Sequence, residues 1–300
     1  MKKAWHVLTL TDKDVSVSDT EPTWSPADNP YAIAVSESQW WLRCALLTSQ
    51  RMRDDDDPRS SGFSSRQIDA RQLVVALWQL LMAEKLQQAA LRALGIDRAV
   101  YAELSRARQR FEKALPGIKH MRDALMHFDE WARGVGNGPQ KKDVEAGKAL
   151  RDVASAYWGF DYAPEKDTIT LGPYVIEVEA AIRAATALAD DIYQAARAVD
   201  QRRTVELRAQ VVDALAAAGV SCGSAGDVLK VSLGLDTRIW LSLDVMAAEQ
   251  DHRPLSEQVV AALAVASLQL LSSAEPQSSN PAKRLLTGEA LYVTPVNAQK

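Results

Sequence analysis

From Ser64 or Ser65 to Leu94 the chain keeps one apolar period without a break. Ile68, Leu73, Val74, Leu77, Leu80, Leu81, Leu86, Ala90, Leu91 and Leu94 recur at helical spacing, and Gly95 ends the run. Apolar residues three and four apart share one helix face. At 1.5 Å per residue such a helix is roughly 45 Å long, which suits a bundle rather than a helix laid on an α/β sheet. This segment therefore predicts a mainly α fold. Composition adds bounds: 300 residues, 47% hydrophobic and 25% charged, describe a chain that can bury a full core.

The rest of the pattern fits around that helix. Residues 1–35 mix short β-like runs with Pro22, Pro26 and Pro30 and read as an N-terminal arm or strand. Ser36 to Gln39 matches a capping box, which starts a first helix near Ser36 that ends near Arg51. Trp40, Trp41 and Trp78 read as core residues. A third helix spans about Asp97 to Ala114, with Asp97 as cap. A fourth runs from Ile118 to Arg133 and stops at the glycine-rich Gly134 to Pro139. Residues 141–156 are weakly helical, residues 157–171 read as a hairpin closed by Gly172-Pro173, and a long helix follows from about Val175, ending at Val199 or continuing past Arg202-Arg203 to Ala218. Beyond residue 200 the pattern predicts a second hairpin, a helix over 255–271 and a final strand over 285–296. The expected organisation is an arm (1–35), a long-helix bundle with one β-hairpin (36–200) and a small α+β C-terminal appendage (201–300).

Simple counts exclude several function classes. The net charge of −4 excludes a globally basic nucleic-acid coat, though not a local basic patch. Two cysteines, Cys44 and Cys222, cannot form a disulfide framework or a Cys-rich zinc module. The basic start at Lys2-Lys3 has no sustained apolar run behind it, and the longest apolar stretch, Val259 to Leu271, is too short to span a bilayer. A cytoplasmic protein without membrane contact is the resulting expectation.

Histidine occurs only four times, and two of the four share the fourth helix. At about 100° per residue, Ile118, Met121, Leu125, Phe128 and Ala132 fall on one arc, the expected core face. His120, Asp123, His127 and Glu130 fall elsewhere, with Arg122 and Met126 at the edge of that second face. This pattern is compatible with an ordinary solvated face. It is also compatible with metal binding by His120, Asp123 and His127. A third use is acid–base chemistry on a phosphodiester, with a histidine moving the proton and an arginine holding the phosphate.

Arg122-Asp123-Ala124-Leu125-Met126-His127 resembles the Arg-x4-His motif of HEPN domains, in which the residue after the arginine is commonly polar. An aromatic residue, Phe128, follows the histidine, as it does in many members. The resemblance covers roughly residues 36–200. It implies an all-α bundle that dimerises through the motif helix and a ribonuclease that needs neither metal nor other cofactor, in a prokaryotic defence or toxin–antitoxin setting. Arg122 and His127 would be catalytic, with Asp123 and His120 in support. On one ideal helix those two side chains stand about 140° apart, so either the long arginine curls partway round or a partner's histidine completes the site. A noncatalytic binding protein that keeps this architecture is the alternative, with the C-terminal part as a protein-partner module.

Local charge agrees with RNA as partner. From Arg98 to Lys148 there are eleven Lys or Arg against seven Asp or Glu. Arg106, Arg108, Arg110 and Lys119 are the candidate phosphate contacts.

Overall fold

The structure is a computed structural model and describes residues 25–54, 56–57, 64–224, 226–234, 237–245, 251–273 and 280–296. Most of the expected arm, including His6, lies outside these residues. After a short turn over Pro26–Asp28, helix α1 covers Pro30–Arg51. It starts six residues before the expected Ser36, because Pro30 is pre-set for the first helical turn and Ser25 caps the preceding turn instead. Trp40 is 69% exposed, against the core position expected of it, whereas Trp41 and Trp78 pack against the core.

Helix α2 (Ser65–Ala93) is the axis of the bundle. Ser64 caps it, its side chain accepting from the Gln67 N–H. Helices α3 (Arg98–Ala114), α4 (Ile118–Met126) and α8 (Val178–Ala217) pack around it together with α1. Leu73, Val74, Leu77 and Leu80 have no exposed surface. A central helix this enclosed also buries polar groups, and both of its buried carboxylates have an arginine partner. Asp69 meets Arg51 at 3.2 Å, and Glu84 meets Arg108 at 3.2 Å.

The single fourth helix expected from the sequence is two helices. After α4 the chain leaves helical geometry at His127 and resumes in α5 (Phe128–Trp131). Helices α6 (Pro139–Glu145) and α7 (Leu150–Tyr157) replace the weakly helical stretch. The expected hairpin is a three-stranded meander, β1 (Phe160–Ala163), β2 (Thr168–Leu171) and β3 (Tyr174–Glu177), all antiparallel. Gly172-Pro173 turns the chain into β3 rather than into a helix. Only after Glu177 does α8 begin.

Helix α8 has 40 residues and is roughly 60 Å long. It crosses the boundary expected near residue 200. Its first half, from Val178 to Val199, buries alanines and β-branched residues in the first core, and Val211 and Leu215 enter a second core. Arg202 donates to the Leu94 carbonyl at 2.9 Å, meeting the C-terminal end of α2 where a cation is favoured.

The second core lies under a four-stranded antiparallel sheet. Its strands are β4 (Leu229–Leu233), β5 (Ile239–Leu243), β6 (Leu268–Leu271) and β7 (Leu291–Pro295), in the order β4-β5-β7-β6. Helices α9 (Arg253–Val265) and α10 (Pro281–Leu285) complete it. The helix expected over 255–271 therefore ends early: Ser267 adopts a positive φ of 57°, and Leu268–Leu271 becomes an edge strand on β7. The strand expected from Leu285 starts at Leu291 for a similar reason, because Leu285 is fully buried as the last residue of α10. The fold is thus mainly α with a small α+β portion. No helix among the described residues is long and apolar enough to cross a membrane.

The burial pattern makes a graded prediction. Leu77→Ala should lower the unfolding free energy by about 2–5 kcal/mol, since it empties space at the centre of α2. Leu47→Ala, at a position 56% exposed on α1, should change it by less than about 0.5 kcal/mol. Chemical denaturation of the two variants beside the parent measures both.

Candidate functional site

Helix α4 is placed by a glycine. Gly117 starts it with φ of 82°, and a Cβ there would lie 2.1 Å from the Tyr174 ring. Only glycine accepts both that backbone and that contact. Tyr174, on β3, thus packs against the start of α4. The same ring stacks on His120, with centroids 5.2 Å apart and planes at 24°. Ile118, Met121 and Ala124 are the residues that α4 buries.

The expected core arc fails past Leu125. His127 has φ −122° and ψ 43°, outside the helical region. Its N–H still donates to the Asp123 carbonyl at 2.9 Å, while its own carbonyl accepts from the Glu130 and Trp131 N–H groups at 3.1 Å each. His127 therefore closes one helix and opens the next. The break shifts the phase of the α5 turn: Phe128 is 60% exposed, Ala132 is exposed, and Trp131 is buried. Nothing in the sequence pattern singles out Trp131. A Cβ on Gly136 would come within 2.8 Å of its ring, so the glycine-rich loop lies directly against the indole.

This arrangement leaves an open pocket of about 190 Å³ lined by Asp123, His127, Glu130, Trp131 and Asn137. Arg122 does not line it. Its guanidinium donates to the Asp123 carboxylate at 2.9 Å and sits 5.6 Å from the Trp78 ring centroid. Asp123 is consequently the link between the two motif residues, ion-paired with Arg122 on one side and facing the pocket of His127 on the other. His127 is exposed, as are its neighbours Met126 and Phe128.

His120 belongs to a different environment. It is half-buried against Tyr174, and its Nδ1 is buried with no hydrogen-bond partner among the described residues. Burial pushes its pKa below the ordinary histidine value; the Asp123 charge opposes this and Lys119 adds to it. Among the described residues no three His, Cys, Asp or Glu stand close enough to hold a metal ion, so His120, Asp123 and His127 do not converge.

The α3 arginines have protein partners. Arg106 pairs with Glu103, Arg108 with Glu84 and Glu112, and Arg110 with Asp191 and Glu103. Arg108 bridges to the fully buried Glu84, which fastens α3 to α2. The pairs of Arg106 and Arg110 remain more than half exposed at the arginine, where water and salt weaken them. Lys119, on α4, is exposed.

The depressed pKa of His120 sets a pH dependence. The unfolded chain takes up a proton near pH ~6.5 and the folded chain does so only at lower pH. Stability supported by neutral His120 is therefore complete above that value and is lost as the pH falls through it. The melting temperature should fall between about pH 7 and pH 5, and His120→Phe, which keeps the stack on Tyr174, should make the fall shallower. Equal slopes in the two proteins would contradict this assignment. Comparison of the chain with protein-family models, curated proteins and solved structures finds no match.

Proposed function

We propose that this protein is a HEPN-like, metal-independent endoribonuclease acting in the cytoplasm, working as a homodimer through the helix that carries Arg122 and His127. The observation that carries this reading is the exposed His127 at a helix break, on an open pocket shared with the Asp123 carboxylate that holds Arg122.

RNA brings its own nucleophile, the 2′-OH, so cleavage requires a base for that proton, a cation for the phosphate and an acid for the leaving oxygen. His127 takes the 2′-OH proton as the new 2′-O–P bond forms. Arg122, released from or shared with Asp123, meets the phosphate oxygens. The P–O5′ bond breaks, leaving a 2′,3′-cyclic phosphate and a 5′-OH that receives its proton from the partner's His127. Met126 and Phe128 support the dimer, since they place exposed apolar side chains on both sides of the histidine.

The second reading, a noncatalytic binding protein with a partner module in its C-terminal part, is favoured by the carboxylates of Asp123 and Glu130. They line the same pocket and repel a phosphodiester. A panel of RNAs incubated with EDTA decides between the two. Under the first reading His127→Ala and Arg122→Ala each lose about 10²–10⁴-fold in cleavage rate. Variant rates equal to the parent's would reject it. No cleavage by the parent, together with co-purification of a stable protein partner, would establish the second.

A further inference from the structure

The pocket beside His127 holds hydrogen-bonding capacity that the fold does not spend. His127, Glu130 and Asn137 line it, and their side chains make no hydrogen bond or ion pair among the described residues. Glu130 is half-buried there. Asp123 engages Arg122 through Oδ1 alone. Trp131 closes the cavity on one side; it is 1% exposed and so supplies an apolar wall rather than a stacking face.

Glu130 and Asn137 are carried by fixed backbone. The Glu130 N–H donates to the His127 carbonyl at 3.1 Å, and the Glu130 carbonyl accepts from the Val135 N–H at 3.0 Å and the Arg133 N–H at 3.2 Å. Asn137 is the middle residue of a three-residue turn that the Gly138 N–H closes on the Gly136 carbonyl at 3.0 Å. The glycines on either side of it lie against the Trp131 ring, where a Cβ would come within 2.8 Å at Gly136 and 3.4 Å at Gly138. Polar groups held in this way lose little further freedom when a ligand binds.

Those groups select a ligand class. Carboxylates repel a phosphate but accept from N–H groups. The cavity of about 190 Å³ is smaller than the roughly 300 Å³ at which sites for drug-sized ligands begin, so it admits one ring system and leaves a sugar and phosphate outside. Of the four RNA bases, guanine alone presents two adjacent donors, N1–H and N2–H, on its Watson–Crick edge. Adenine and cytosine place an acceptor beside their amino group, and uracil flanks its one N–H with two carbonyls, so each turns a lone pair towards a carboxylate. Guanine also carries O6, an acceptor for the Asn137 amide. We propose that this cavity binds a guanine base of single-stranded RNA, with the Glu130 carboxylate accepting from N1–H and N2–H and the Asn137 amide donating to O6. The base sits inside and its ribose stands at the mouth beside His127, which makes it the nucleotide whose 2′-OH is attacked. That role in cleavage rests on the ribonuclease reading; recognition of the base does not. A guanidinium or ammonium group of a partner protein would answer the carboxylates by charge alone and would leave the Asn137 amide unused.

Isothermal titration of the full-length parent with the 3′-monophosphates of guanosine, inosine, adenosine, cytidine and uridine tests this. All carry the same phosphate and none has a phosphodiester to be cleaved, so differences in affinity report the base. The guanosine form should bind at least about tenfold more tightly than the adenosine, cytidine and uridine forms. The inosine form, which lacks the 2-amino group, should fall between. Glu130→Gln, which turns an amide N–H towards the base, should erase the preference for guanine, and Asn137→Ala should reduce it by about three- to tenfold. The proposal is overturned if all the monophosphates bind alike, or if Glu130→Gln, with unchanged melting, keeps the parent's preference. It is also overturned if methylguanidinium binds more tightly than guanosine 3′-monophosphate and displaces it, which assigns the pocket to a cationic group of a partner. Cleavage of RNA by the parent with no preference for the bond 3′ of guanosine overturns it too and leaves the ribonuclease reading standing. Selective binding of the guanosine form by a parent that cleaves no RNA supports the base pocket and rejects the ribonuclease reading.

Discussion

Enclosure of α2 by α1, α3, α4 and α8 is the interaction on which the other elements depend. Each fully buried leucine on that helix contributes about 1.5–3 kcal/mol relative to exposure. Helices α1 and α4 pack chiefly against α2, while α8 also packs on α1 and α3 and so closes the ring around it. The same enclosure forces polar residues of α2 to find partners inside the protein. Arg51 is drawn to Asp69 and Arg108 to Glu84 for that reason. An arginine bound to a fully buried carboxylate is hard to withdraw, because it would leave an uncompensated charge in the core. Arg108 is thereby committed to structure, whereas Arg106 and Arg110 keep exchangeable, exposed pairs.

The site is a consequence of a phase change. Were α4 continuous to Arg133, Phe128 would pack inward and Trp131 would not take its buried place. The break at His127 lets Trp131 enter the interior, and the glycine-rich loop closes against its ring. A pocket then forms between the end of α4 and that loop, with Asp123 and His127 on its wall. The loop glycines serve as terminators, and Gly136 is also required by its closeness to Trp131 and to the Gln140 side chain.

Much of the helical architecture was legible. Strict apolar period and clear end signals announced α2, and Asp97 was recognisable as the cap of α3, where its carboxylate accepts from the Ala99 N–H. Gly172-Pro173 was legible as a turn but not as a turn into a third strand. Tyr174 to Glu177 has no periodicity of its own over four residues, and its conformation is set by pairing with β2. Leu268 to Leu271 failed in the same way, since an apolar run next to a helix reads as more helix until β7 is there to pair with it. The site was half legible. Arg122 and His127 could be picked out by spacing, but the linking role of Asp123 depends on where the Arg122 side chain turns. Trp131 and Asn137 carried no signal of their own.

By itself the sequence determined that long helices would dominate, where α2 and α3 lie, and that two histidines, two carboxylates and an arginine would be concentrated in one short segment. These depend on local rules: periodicity, caps and glycine terminators act over a few residues. Tertiary structure decided that α8 would run unbroken through both cores, that His127 would interrupt its helix, and that His120 would be half-buried against Tyr174 while His127 stays exposed. Those outcomes depend on packing between residues far apart in the chain. A long-range partner such as the Tyr174 ring over Gly117 outweighs the few tenths of a kcal/mol per residue by which local propensity prefers one backbone state to another.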